Sequence, residues 1–436
     1  MNLEQYIKIV YNNNPLWFKE EVKKPHHDNR IEKMYDLKNY LHGKHKVLQR
    51  KDLKYKEQEL KVRKIILNNA KAICNFHSTY LVGKPVSLTG SKELVSNMQN
   101  IYNYGGFNSA DFNIADKLVK YGDAFEYIYV DGDNITSKII DSCYSYPVYS
   151  DSGEYIAFIE YWTNLDNVSY WNVYTQDSVS EWTNEGGKEH RIQEYINESG
   201  LPIHYKTMND WDYRYGEGLL VNIRPLLDEI EDLMSKMGDS IYILSLNPIL
   251  LTLGQQIEGS INTDAVGYNV KMEVGCDMKY VNSEMDYQSI KCYLDTIQNQ
   301  LNYNAYIPNI LGGNGNIANV SEVSLKIMYQ LADVYAMLNE KPMREGLNKR
   351  FNIIRKLLGL ESKDEYVNVT FNYSRPQNAS ELLDNLKKQF DMGAISTESI
   401  IEQSPLTSDK GMELDRIKRE QGKVNNKEDN NTNIED

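Results

Sequence analysis

The sequence predicts an α+β fold, and three observations predict it. Apolar residues recur at helical spacing through 219–244 and again through 321–358. Between Ala124 and Thr183 the spacing shortens to that of strands, in short runs separated by Gly, Asp and Asn. Hydrophobic residues make up 41% and charged residues 25% of 436 positions, the balance of ordinary globular protein with length enough for several packed units.

Residues up to about Leu118 read as mostly helical. Within them, His42 to Lys64 is strongly basic, with Lys and Arg spaced irregularly among Leu48, Leu53, Leu60 and Val62. Ile65 to Leu81 is more apolar and ends at Val82-Gly83-Lys84-Pro85, where Gly and Pro stop a helix. Asp111 to Tyr121 repeats the helical pattern through Phe112, Ala115, Leu118 and Val119. After Gly122, Ala124–Val130 and Ile135–Ile140 flank the turn cluster Asp131-Gly132-Asp133-Asn134, which predicts a hairpin. Glu154–Trp162, Val168–Thr175 and Ser178–Thr183 continue in the same way, which argues for a small antiparallel sheet.

From Leu219 the helical period returns through Ile223, Leu226, Ile230, Leu233, Met237, Ile241 and Leu244. A cap at Asn222 or Arg224 would put Pro225 in the first turn, and Asn247-Pro248 would end the helix. A small unit follows, with short strands at Asn269–Val274 and Asp277–Val281. A second helix runs from Tyr287 to about Ala305 through Ile290, Leu294, Ile297 and Leu301. Asn309–Asn319 is rich in Gly and Asn, the composition of a flexible loop. From Ser321 a helical pattern extends through Leu358 with Pro342 in its middle. The proline predicts either one helix kinked there, spanning roughly 57 Å, or two helices with a turn near Lys341 to Gly346. Tyr366–Tyr373 alternates as a strand. Ser380, Ser396 and Ser408 each open a short helix, and the tail from Lys423 is polar enough to stay disordered.

With 48 basic and 62 acidic side chains the chain carries −14, which argues against a protein that coats nucleic acid through a basic surface. No apolar run reaches ~18 residues, so no membrane span is expected. MNLEQYIKIVYNNN lacks the charge and apolar order of a secretory signal. Cys74, Cys143, Cys276 and Cys292 form no CxxC pair, the usage of a reducing compartment. Tyrosine is abundant, 33 against 9 phenylalanines, which reads as the codon bias of an AT-rich genome or as a surface rich in interfaces.

Chemistry is sparse. Gly312-Gly313-Asn314-Gly315 lacks the Lys-Ser/Thr of a phosphate loop and the strand–helix frame of a dinucleotide fingerprint. Seven histidines stand at no metal-ligand spacing, so no metal, cofactor or catalytic residue is expected, and the chain reads as no enzyme. One constellation stands out. Asp228, Glu231, Asp232 and Asp239 fall at helical offsets that place them on one face. They read either as a solvated acidic surface or, were the helix repeated around a ring, as the wall of a bore that repels a polyanion.

The order of these parts resembles the portal protein family of tailed bacteriophages, in the branch found in siphophages of Gram-positive bacteria. Tyr80-Leu-Val-Gly-Lys-Pro85, Tyr121-Gly-Asp-Ala-Phe-Glu-Tyr127, Asn319-Val-Ser-Glu-Val-Ser-Leu-Lys326, Phe371-Asn-Tyr-Ser-Arg-Pro376 and Gly393-Ala-Ile-Ser-Thr-Glu398 carry the resemblance in order over about residues 1 to 420. Glu322-Val-Ser324 departs from it, standing where a Gly-containing turn is expected. The resemblance implies a portal fold: a wing over 1–217, stem helices over 218–254 and 287–308, and a clip over 255–286. A tunnel loop would span 309–320, a long kinked helix and strand 321–378, a helical crown 379–422 and a disordered tail 423–436.

The same resemblance implies a homo-oligomeric ring, usually of twelve subunits, at one vertex of the capsid in the virion, assembled in the host cytoplasm. Double-stranded DNA would be packaged through it by a terminase docked on the clip, with the terminase large subunit as partner, and later ejected. Head–tail adaptor, capsid and scaffold proteins complete the partners. Leu311, Gly312, Gly313, Asn314, Gly315 and Asn316 would touch the duplex without reading sequence. Asp228, Glu231, Asp232 and Asp239 would line the channel, and the basic stretch 42–64 would face capsid or scaffold protein. A cytosolic structural scaffold with no DNA path is the other reading of the same helices.

Overall fold

The computed structural model describes residues 1–55, 58–242, 249–254, 274–281, 286–308, 322–360, 365–376 and 379–404, with scattered positions between 407 and 419. The chain divides into two units, residues 1–309 with 331–374, and residues 310–330 with 375–436.

In the first unit α1 (Leu3–Tyr11) opens on a capping box. Asn2 accepts from the Gln5 backbone N–H at 2.9 Å, and the Gln5 side chain accepts from the Asn2 N–H. Then come α2 (Trp17–Glu21) and α3 (Pro25–Leu41), the latter with proline in its first turn, where a missing N–H costs nothing. The helical reading of the first 118 residues breaks at the basic stretch. It forms a 3-10 turn at Lys46–Gln49, a hairpin of β1 (Leu53–Tyr55) and β2 (Gln58–Leu60), and an extended run up to α4 (Asn69–Val82). We call residues 44–67 the strap. Beyond α4 lie β3 (Ser87–Gly90), α5 (Lys92–Gly105) and α6 (Phe107–Tyr121).

The predicted hairpin is β4 (Asp123–Asp131) and β5 (Asn134–Ile140), paired Asp131 to Asn134 across Gly132-Asp133. Next come β6 (Ser145–Tyr149), β7 (Tyr155–Thr163), β8 (Ser169–Tyr174), β9 (Ser178–Thr183), β10 (His190–Ile196) and β11 (Ile203–Lys206). They build two antiparallel sheets rather than one, in the orders β10-β9-β8-β7-β6 and β11-β4-β5. Every residue of β10 is exposed, so it carries no burial alternation for a sequence to display. Tyr6, Tyr11, Trp17, Phe18 and Val22 pack on Tyr146, Val148, Ala157, Ile159, Trp171 and Val173 of the larger sheet.

α7 (Leu219–Ser240) begins directly after Gly218, so Pro225 lies in the second turn rather than the first. The carbonyl it leaves without its usual helical donor belongs to Val221, an exposed residue. β12 (Ile249–Leu253) pairs with β13 (Asp277–Val281), and α8 (Tyr287–Asn304) opens on Asp286, which accepts from the Ser289 N–H. The strand expected opposite β13, Asn269–Val274, lies outside the described residues apart from Val274. α9 (Glu322–Leu357) is one continuous helix through Pro342, about 54 Å long at ~1.5 Å per residue, which removes the two-helix alternative. β14 (Val367–Thr370) pairs with β3.

The core of the first unit joins Leu220, Ile223, Leu227 and Ile230 of α7 to Ile297 and Leu301 of α8, Ile73 and Cys74 of α4, and Tyr40 of α3. In the second unit, α10 (Ala379–Asp391) is followed by α11 (Thr397–Gln403), which Ser396 caps as expected. The third short helix expected from Ser408 falls largely outside the described residues.

Candidate functional site

The acidic constellation lies on α7, and the strap lies against it. Glu231 is buried, 1% exposed. One of its oxygens lies 2.7 Å from His45 Nδ1 and accepts from the Leu67 N–H at 2.8 Å. The His45 ring stacks on Tyr40 with centroids 4.0 Å apart. Asp239 accepts from Arg50 at 3.0 Å and from the Arg63 N–H at 2.7 Å. Asp232 lies 3.4 Å from Arg50 Nε and 2.6 Å from Lys236 Nζ. Arg50 also donates to the Arg63 carbonyl at 2.6 Å, and Ser235 accepts from the Ile65 N–H. Asp228 is half-buried beside a cavity of about 670 Å³ that Lys46, Arg50 and Arg224 also line.

This corrects two expectations. Glu231 points into the protein and cannot line a channel, because burying its carboxylate requires the hydrogen bonds that His45 and Leu67 supply. Asp239 is spent on Arg50 and the Arg63 backbone. Of the basic stretch, His45, Arg50 and the Arg63 backbone face this helix, while Lys44, Lys46, Lys51, Lys61 and Lys64 remain exposed. Of the four carboxylates only Glu231 is buried, while Asp228, Asp232 and Asp239 keep part of their surface in solvent. Lys236 is held charged by its hydrogen bond to Asp232, and burial pushes the Tyr40 phenol well above its usual range. The expected loop residues Leu311, Gly312, Gly313, Asn314, Gly315 and Asn316 lie outside the described residues.

Sequence reasoning missed a second charged site. Arg350 of α9 is fully buried among Asp111 of α6, Glu126 of β4, Tyr102 of α5 and Tyr205 of β11. Its guanidinium donates to Asp111 at 2.5 Å, to Glu126 at 3.0 Å and to the Tyr102 hydroxyl at 2.9 Å, while Tyr205 donates to Glu126 at 2.6 Å. Gly346, one turn earlier, admits the Tyr205 ring where any Cβ would fall 2.0 Å from it. Burial pushes the Asp111 carboxyl up to about 6 against the pull of Arg350. Arg350 falls on the apolar face of α9 with Leu347 and Ile354, which is the local signal, and its partners are more than 140 residues away in sequence.

Among the described residues, Glu21, His26 and His27 form a close set of the kind that could hold a metal ion. The Glu21 carboxylate, however, already accepts from Tyr6 and Tyr11 and sits 2.9 Å from the Lys24 ammonium. Among the described residues no helix is long and apolar enough to cross a membrane.

A unit of helices and antiparallel sheets thus feeds a helix, a small strand pair, a second helix and one very long helix anchored back onto the sheets. Residues 20–427 match the model of the family described as phage portal protein, SPP1 Gp6-like. The chain belongs to the phage portal protein family. A portal protein is a component of the phage particle, and that is the function of this one. The portal protein of Bacillus phage SPP1 is 23% identical over 383 residues, covering 78% of this chain and 73% of its own length. Among solved structures, this portal protein is similar to a chain of the neck of the native gene transfer agent particle computed with C12 symmetry. The two are 13% identical, with 76% of this chain and 87% of that one covered and a TM-score of 0.47. A chain of the empty particle's neck, computed with C6 symmetry, is 12% identical with the same coverage and TM-score.

Proposed function

We propose that twelve copies of the chain close into a ring at one capsid vertex, and that double-stranded DNA is packaged and later ejected through the bore. The observation that carries this reading is the family match, which runs without interruption from the sheet unit through both central helices to the C-terminal helices. The ring assembles in the host cytoplasm. The terminase large subunit docks on residues 255–286 and hydrolyses the ATP, while this chain hydrolyses none; a head–tail adaptor takes the same place later. The wing, 1–217, meets capsid and scaffold proteins. Leu311 to Asn316 meet the duplex, where glycines allow bending and asparagines form exchangeable, sequence-blind hydrogen bonds to phosphates. Glu231 and Asp239 of α7 chiefly hold the strap, leaving Asp228, Glu229 and Asp232 as the acidic groups of that helix with surface to offer the bore.

Electron microscopy of purified protein tests the ring. Closed rings are expected, and monomers under every assembly condition would overturn it. Shortening Leu311 to Asn316 should spare ring assembly and impair DNA packaging. Normal packaging by that variant would overturn the assignment of this loop to the duplex.

A further inference from the structure

α8 ends on a tyrosine held in a backbone conformation that favours glycine. The Tyr306 N–H bonds to the Tyr303 carbonyl and the Ile307 N–H to the Asn302 carbonyl, the two bonds that close a helix through a left-handed residue. That residue is Tyr306, with φ at +54°. The same closure ends α3, α9 and α10, and there the left-handed residue is Gly43, Gly359 and Gly393. Among the described residues, every other non-glycine residue with positive φ is an asparagine. Glycine suits the site because it has no Cβ, and asparagine because its short side chain bonds locally; a phenol has neither advantage. Strain of this kind persists only where the surroundings over-determine it.

Here three helices do so. The Tyr306 ring stacks on Tyr335 of α9, with centroids 5.1 Å apart and planes 26° apart. Tyr335 lies against the His77 ring of α4, centroids 4.4 Å apart. His77 is 3% exposed, and its Nε2 sits 2.6 Å from the Ala305 carbonyl. A carbonyl only accepts, so that nitrogen carries a proton, and burial lowers the imidazole to about 4, which keeps the ring neutral. Ala305 and Ile307 are buried in the core with Ile297 and Leu301. Tyr306 and Tyr335 stand on either side of residues 309–330 in the sequence, so their contact ties together the chain before and after that segment.

We propose that Tyr306 is a positioning residue: stacked on Tyr335 and backed by His77, it clamps the chain on both sides of residues 309–330, and its left-handed backbone is the strain this contact requires. The proposal rests on the portal reading above, in which Leu311 to Asn316 meet a moving duplex. Each phosphate contact pulls on the segment before it breaks, and the pull reaches the last turn of α8. That turn is the weakest part of the helix, because its final carbonyls have no donors from a following turn. A glycine cap would close the turn equally well but leave it unattached to α9.

The test uses the full-length protein. Tyr335→Leu removes the stack and leaves the cap as it is. Amide exchange from Ala305 to Ile307 should quicken about two- to tenfold, the worth of an aromatic pair, and packaging should slow by a similar factor. Tyr306→Gly relieves the strain as it removes the ring, so its urea midpoint should stay close to wild type while packaging slows to the same degree. Tyr306→Phe keeps the ring and should package as wild type does. The double variant Tyr306→Gly, Tyr335→Leu should package no more slowly than Tyr335→Leu alone, because both changes remove one contact. Normal packaging by Tyr306→Gly, or losses that multiply in the double variant, would overturn the proposal. Unchanged exchange in Tyr335→Leu would overturn it too. Wild-type protein that admits no DNA at all would instead overturn the portal reading, and the exchange rates would still decide whether the clamp exists.

Discussion

Replacing Arg350 with methionine should unfasten the long helix from the sheets. The guanidinium is fully buried, and so are the two carboxylates it joins, with side-chain exposures of 5% at Asp111 and 0% at Glu126. Methionine fills much of the same space but leaves two like charges facing each other away from water. Breaking a buried pair by removing one partner costs about 3–5 kcal/mol. That is about two to four decades in the folded-to-unfolded ratio. Urea unfolding of Arg350→Met against wild type measures the loss. Hydrogen exchange should locate it in α9 between Met343 and Ile354, whose side chains bury 97% or more of their surface at Met343, Leu347, Phe351 and Ile354. Adding Asp111→Asn and Glu126→Gln to Arg350→Met should restore most of the stability, because no unpaired charge then remains. A loss under about 1 kcal/mol would refute the reasoning, since that is the worth of an ion pair in solvent.

Two further predictions concern charge. Asp111 has its carboxyl raised from 3.8 to about 6, so its contribution to stability is fully present below about pH 4 and is lost as the pH rises through 6. Stability should therefore decline over that window relative to Asp111→Asn, measured by thermal unfolding; parallel pH profiles for the two proteins would count against it. In the strap, Arg50→Ala removes the contacts to Asp232, Asp239 and the Arg63 carbonyl, while Glu231→Leu strands His45 and the Leu67 N–H. Limited trypsin digestion should cut the double variant between Lys44 and Lys64 about tenfold faster than wild type, for a loss of about 1–2 kcal/mol; an unchanged rate would mean that the strap is held by other contacts.

Elements with a strong period are legible from the sequence. Leu219 to Ile230 and Val323 to Ile354 present apolar stripes, and Asp131 to Asn134 presents a turn between β-branched runs, so local physics decides their structure. What lacks a local cause is not legible. β10 buries nothing, so nothing in its composition alternates. The strap is extended because α7 supplies its hydrogen-bond partners, Glu231, Ser235 and Asp239, from about 165 residues away or more. Asn222 has the side chain of a cap and would put Pro225 in a first turn, whereas Gly218 starts the helix and solvent tolerates the free carbonyl.

The same distinction governs the charges. A face of Asp228, Glu231, Asp232 and Asp239 and a run of Lys and Arg at 42–64 each read, in isolation, as a surface offered to something else. Opposite charges within one chain first satisfy each other when the fold brings them within 4 Å, because burial raises the cost of leaving either one alone. Arg50 with Asp239 meets that condition at 3.0 Å, and the His45 ring lies within hydrogen-bond distance of Glu231. What stays exposed around α7 is the residue of this internal pairing: lysines on the outer side of the strap, Glu229, and the face of α8 where Lys291 and Asp295 offset each other. A net charge of −14 therefore says little about which surface could meet a polyanion. The decisive quantity is the charge left exposed on each face after folding, and on α8 that charge sums to zero over the two turns where Lys291 and Asp295 stand.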